Sequence, residues 1–161
     1  MRSSTSQTRC TDTYTQSTPS ILRRYPLKIV AIVVVYYPDR QLLRRLLEAL
    51  TQQVDITLLV NNGPAISDTD EIWNGPGLVL ENRTSNVGVA AALNAGFAWA
   101  QRQKADFVVS FDQDSEPSQG MVDQLLKAHE SLVAQGHLVG GVGPTRFDPR
   151  SGRRATFLFP I

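Results

Sequence analysis

Phe107-Val108-Val109-Ser110-Phe111-Asp112-Gln113-Asp114-Ser115-Glu116-Pro117 is an apolar run that stops at two carboxylates one residue apart. Its length and its β-branched and aromatic make-up predict a buried strand. Acids at the mouth of such a strand are costly unless a positive group meets them. Mg²⁺ and Mn²⁺ prefer carboxylate oxygens, commonly one or two protein carboxylates completed by phosphate. Asp112 and Asp114 are therefore candidate ligands for a divalent cation that receives a phosphorylated molecule. The plainer reading makes Asp114 or Ser115 a turn residue or the cap of the next helix.

Upstream of this run, strand and helix patterns alternate. Residues 28–36 (KIVAIVVVY) read as a buried strand closed by Tyr37-Pro38-Asp39. Leu42, Leu43, Leu46, Leu47 and Leu50 then share one helical stripe, with Asp39 as the expected N-cap. Residues 55–60 form a second strand ending in the loop signal Asn61-Asn62-Gly63-Pro64. A short helix is expected over 68–73, and a third strand over 78–81. Residues 89–103 predict a helix with Val89, Leu93, Phe97 and Ala100 on its inner face.

Downstream, Met121, Val122, Leu125, Leu126, His129, Leu132 and Val133 line another helix, with Gly136 as its stop. Residues 139–142 read as a fifth strand, and Phe147-Asp148-Pro149-Arg150 as a turn. This alternation predicts an α/β protein built on a mainly parallel sheet. Ligands of such sheets sit beyond the carboxyl ends of the strands, where strand order reverses. Residues 36–39, 61–63, 82–88 and 112–115 all follow strands, so they wall one cleft if the first and fourth strands are neighbours.

The chain of 161 residues has room for one domain with a core, and its net charge of +1 argues against a nucleic-acid partner. Its lone cysteine, Cys10, excludes an internal disulfide, which suits a reducing compartment. The apolar run at residues 29–37 is too short to span a bilayer, so any membrane association would be peripheral. Residues 1–26 are rich in Ser, Thr and Arg with a single acid, Asp12. That composition predicts a disordered tail, and it also fits an organellar transit peptide. Residues 27–161 would then be the folded unit.

A dinucleotide-binding domain needs G-x-G-x-x-G after its first strand, where this chain has Tyr36-Tyr37-Pro38-Asp39. An aspartate-based phosphatase also uses Asp-x-Asp after a strand, but there the motif opens the domain. Here most of the α/β pattern precedes it. In order and spacing, the pieces resemble family 2 glycosyltransferases of the GT-A fold, most closely the rhamnosyltransferases. They are residues 29–39, the leucine helix with Gln52-Gln53-Val54, Leu58-Leu59-Val60-Asn61-Asn62-Gly63, residues 86–96 (NVGVAAALNAG) and Phe111-Asp112-Gln113-Asp114-Ser115.

This resemblance implies a Rossmann-like sheet that binds a nucleotide-diphospho-sugar, with dTDP-rhamnose indicated by Asp-Gln-Asp-Ser. Tyr36 would line the base and sugar pocket, and Asn61 and Asn62 would face the base. The family usually has Asp where Asn61 stands and Asn where Tyr37 stands. Asn86, Gly88 and Val89 would lie beside the diphosphate or ribose. Asp112 would hold ribose or the metal, and Asp114 would hold the metal, Mg²⁺ or Mn²⁺. A glycan or lipid-linked acceptor and a cytoplasmic site at the inner membrane face are implied as well. The resemblance also implies that the chain holds only the donor-binding half, ending within the sheet. The general base would then lie elsewhere, leaving Asp148 as the one late acid to weigh. A nucleotide-binding module without catalysis is the competing expectation.

Overall fold

The computed structural model describes residues 27–67, 75–148 and 153–155. In chain order these form β1 (Ile29–Val35), α1 (Arg40–Thr51), β2 (Ile56–Asn61), β3 (Leu78–Asn82), α2 (Val89–Arg102), β4 (Phe107–Asp112) and α3 (Met121–Ala134). Two short strands, β5 (Arg146–Asp148) and β6 (Arg153–Ala155), pair antiparallel. The expected tail and the helix over 68–73 lie outside the described residues.

The main sheet is parallel, with strand order β3-β2-β1-β4. The fold is thus the α/β, Rossmann-like type that the alternation predicts. Strand order runs outward from β1 to β3 and then reverses to place β4 on the other side of β1. The reversal point lies between β1 and β4, the position at which doubly wound sheets bind ligands.

β1 is apolar throughout because both its faces are covered. Ala31, Val33 and Val35 join Leu59 against Leu43, Leu46, Leu47 and Leu50 of α1. Val30 and Ile32 join Leu58 and Val60 against Ala92 and Ala100 of α2. The leucine stripe is therefore the buried face of α1. Its start is fixed by Asp39, whose carboxylate accepts from the N–H groups of Gln41 at 2.8 Å and Leu42 at 3.0 Å. This is the N-cap that the sequence predicts.

On α2 the structure corrects part of the expected face: Ala100 and Leu93 do meet the core, but Val89 and Phe97 do not. Ala92, Gly96 and Ala100 are buried, whereas Val89 and Phe97 are exposed. The physical reason is close approach. A β-carbon on Gly96 would lie 2.7 Å from Ile32 Cγ2, so only small residues let the helix sit this near β1. Hydrophobicity picks out Val89 and Phe97, but steric fit selects the small-residue stripe.

α3 buries Val122 and turns His129 edge-on to Phe107 of β4, ring centroids 5.2 Å apart. Its start is held by Gln53, whose Nε2 donates to the carbonyls of Ala49 and Ser118. Its Oε1 accepts from the Val122 N–H at 3.2 Å. Gly120 at the N-cap contributes no side chain, and Gln53, in the turn that follows α1, supplies the missing acceptor. Gly136 ends the helix region at φ +86°, as its position predicts.

One further expectation is corrected. Residues 139–142 are not a strand, since Gly140, Gly141 and Gly143 give it little to pack and weaken extended pairing. Of the expected turn at 147–150, Phe147 and Asp148 lie in β5, Asp148 standing opposite Arg153, and Pro149 and Arg150 lie outside the described residues.

Candidate functional site

Backbone register sets the site. Val34 pairs with Asp112, Val35 with Asn61, and Asn61 with Asn82, so the carboxyl ends of four strands finish in one row. The sequence-predicted loops after β1, β2, β3 and β4 therefore share one edge of the sheet.

After β4 the chain turns, with the Ser115 N–H donating to the Asp112 carbonyl at 3.1 Å. Asp112 and Asp114 are both exposed and have no side-chain partner among the described residues. Glu116, just beyond, pairs with Arg45 of α1 at 3.1 Å. No three His, Cys, Asp or Glu side chains among the described residues group to hold an ion. Two free carboxylates still fit a hard divalent cation, provided a ligand's phosphate oxygens complete its shell.

Gln113, between the two acids, is half-buried and points back to β1. Its Oε1 accepts from the Tyr36 N–H at 2.8 Å, and its Nε2 donates to the Tyr36 carbonyl at 3.3 Å. Tyr36 is 49 % exposed and Tyr37 is 67 % exposed, and their rings meet edge-to-face with centroids 4.7 Å apart. Tyr37 has φ +47°, a left-handed backbone that costs a non-glycine residue about 1 kcal/mol. At Gly63 the second loop comes within contact distance of this pair. A β-carbon there would stand 3.5 Å from Tyr37 N and 3.6 Å from Tyr36 Cδ2.

Asn61 and Asn62 are 1 % and 4 % exposed. Asn61 Nδ2 donates to the Pro64 carbonyl at 2.6 Å and to Asn82 Oδ1 at 2.8 Å, while Asn61 Oδ1 accepts from Gly63 N–H. Asn82 also exchanges bonds with the backbone of Ile66 in both directions. Asn62 Nδ2 donates to Asn86 Oδ1 at 2.8 Å, and Asn62 Oδ1 accepts from Val87 N–H. Both buried amides are thus satisfied by neighbouring loops, as buried polar groups must be.

Asn86 Oδ1 also accepts from Gly88 N–H at 2.9 Å. The two asparagine pairs tie the loop after β2 to the loop after β3, which leads into α2. The first turn of α2 is exposed and carries no side-chain cap, so its N–H groups remain available to an anion. Gly88 and Val89 sit at that open end. Asp148 lies on β5, outside the row of strand ends.

A groove of about 500 Å³ lies elsewhere, between the end of α1 and the start of α3, lined by Glu48, Gln53 and Asp123 among others. It includes neither the acid pair nor the tyrosines. We place the site at the strand ends because the unpartnered chemistry gathers there.

The network roles of Gln113, Gln53 and Asn82 are not evident in the sequence. Each depends on which strands or helices become neighbours. For Gln113 and Asn82 the polar interruption at the end of an apolar strand is the local signal, and Gln53, between α1 and β2, leaves none.

A parallel sheet with an acid pair at its reversal point and an uncapped helix start after β3 defines an α/β protein whose candidate site lies at the carboxyl edge of the sheet. The chain matches the family described as Glycosyl transferase family 2 over residues 31–159, and it belongs to that family. It is also 34 % identical over 141 residues to an undecaprenyl-phosphate 4-deoxy-4-formamido-L-arabinose transferase of Pseudomonas syringae pv. syringae (strain B728a). That alignment covers 79 % of this chain and 39 % of the relative, so the chain spans well under half of the relative's length. Among the described residues, no helix is long and apolar enough to cross a membrane.

Proposed function

We propose that this chain forms the donor-binding part of a sugar transferase, taking a nucleotide-diphospho-sugar together with Mg²⁺ or Mn²⁺. The observation that carries this reading is the unpartnered Asp112–Asp114 pair at the β1–β4 reversal point. Asp112 and Asp114 would hold the cation, which when bound supplies Lewis-acid stabilisation of the departing diphosphate. The open N–H groups of α2 face the same anion. Tyr36 lines the base side, and Asn61, Asn62 and Asn86 hold the loops that shape it. The donor favoured by the Asp-Gln-Asp-Ser sequence is dTDP-rhamnose.

Two acceptor classes follow from the chemistry. A glycan hydroxyl must lose a proton to a base as its oxygen attacks the anomeric carbon and the bond to diphosphate breaks. Asp148 is the late carboxylate to test for that role. A lipid phosphate, the acceptor class in the relative's name, is already ionised and needs no such base. A lipid-linked acceptor of either class would place the protein at the cytoplasmic face of a membrane.

Calorimetry with dTDP and Mn²⁺ tests donor binding. Asp114→Asn is expected to weaken it at least tenfold, about 1.4 kcal/mol. Asp39→Asn, which keeps a capping side chain on α1, is expected to leave it unchanged. Equal affinity in the wild type and Asp114→Asn would remove the metal assignment. Incubation with dTDP-rhamnose, Mn²⁺ and either acceptor separates transfer from binding alone. Donor binding without product would favour the non-catalytic binding module.

A further inference from the structure

The regular β1–β4 ladder ends at Val34 and Asp112, yet the two strands remain linked beyond it. Gln113 supplies an acceptor and a donor to the two backbone groups of Tyr36, at 2.8 and 3.3 Å. One side-chain amide thus stands in for a rung of the sheet. It joins the residue between the two acids to the first residue of the tyrosine pair. Tyr37 follows at φ +47°, its ring 4.7 Å from that of Tyr36. A left-handed non-glycine residue persists only where its surroundings fix it, and the Gln113 clamp lies immediately before it.

A nucleoside diphosphate carries an aromatic base at one end and an anion at the other. Both ends contribute fully to affinity only if their two subsites are held at a fixed separation beforehand. We propose that Gln113 is a positioning residue that holds the Tyr36–Tyr37 pair in register with Asp112 and Asp114. The base and the metal-bound diphosphate are then engaged together. This rests on the donor-binding reading above and assigns Gln113 a role in donor affinity, with no contact to the reacting atoms. Glutamine suits the role because asparagine, one methylene shorter, does not reach both Tyr36 groups from the same backbone position.

The test uses the full chain and three probes, with binding followed by calorimetry or by NMR titration: thymidine, pyrophosphate with Mn²⁺, and dTDP with Mn²⁺. Gln113→Ala is expected to weaken dTDP at least tenfold while leaving thymidine and pyrophosphate within twofold. Gln113→Asn should give the same selective loss, and it serves as the test if the alanine variant does not fold. Unchanged dTDP affinity in Gln113→Ala would overturn the positioning role. So would an equal loss for all three probes, which marks a merely structural residue. A wild type that binds no dTDP would instead overturn the donor-binding reading itself, before any variant is compared.

Discussion

Asn61 directs both its amide hydrogens at acceptors, the Pro64 carbonyl and Asn82 Oδ1, while only 1 % exposed. An aspartate, which the family usually carries here, has no hydrogens to give in its ionised form. Asn61→Asp would bury a carboxylate against two acceptor oxygens. We expect a loss of about 3 kcal/mol or more in urea unfolding at neutral pH. The introduced carboxyl should titrate above the ordinary carboxylate range, because burial and the facing oxygens both disfavour its charge. A folded-state pKa raised above the unfolded value makes the deficit smallest at low pH and larger as pH rises through it. A variant as stable as wild type at pH 7 would mean that the asparagine pair does not set the loop. The sequence marks Asn61 as the end of a strand before a turn. Its partner Asn82 lies 21 residues away, so the amide's true role follows only from β2–β3 pairing.

The helices show where pattern suffices and where it does not. α1 was legible because its leucines repeat at helical spacing and Asp39 caps them, two local signals that agree. β1 and β2 are legible from their apolar runs, since a strand buried on both faces has no polar alternation to confuse it. On α2 pattern finds Ala100 and Leu93 on the inner face but not Ala92 and Gly96, which pack by being small, while Val89 and Phe97 stay exposed. Gly96→Ala tests that account. Alanine gains about 1 kcal/mol in helix propensity. Against this, its β-carbon would lie 2.7 Å from Cγ2 of the fully buried Ile32, a methyl that branches at Cβ and cannot swing clear without a new rotamer. Overpacking of this kind costs about 1–3 kcal/mol, so the melting temperature is expected to fall. A rise on thermal unfolding would show that α2 can lift off β1 freely. On the site, the acid pair and loop positions were readable, while the amide clamps of Gln113 and Gln53 were not. Their partners are 77, 65 and 69 residues distant.

Across the whole molecule, the two edges of the sheet treat their acids differently. At the amino edge Asp55 accepts from the Ile29 N–H at 2.7 Å and Asp106 from the Lys28 N–H at 2.8 Å, so both carboxylates serve the first residues of the sheet. At the carboxyl edge Asp112 and Asp114 have no such partner among the described residues. A charge left unsatisfied at the reversal point of a doubly wound sheet is the feature a ligand can use. Binding of dTDP with Mn²⁺ should therefore slow amide exchange in four separate segments at once, residues 36–39, 61–63, 82–89 and 112–115. The segments lie far apart in sequence and adjoin through strand register and the amide bonds of Asn61, Asn62 and Gln113, so their joint protection would report the cleft as one unit. Residues 28–29, 55 and 106 should exchange as before. Amide exchange followed by mass spectrometry, with and without ligand, reads all of these together. Protection confined to the groove lined by Glu48, Gln53 and Asp123 would move the site to the α1–α3 side, leaving the acid pair without a ligand.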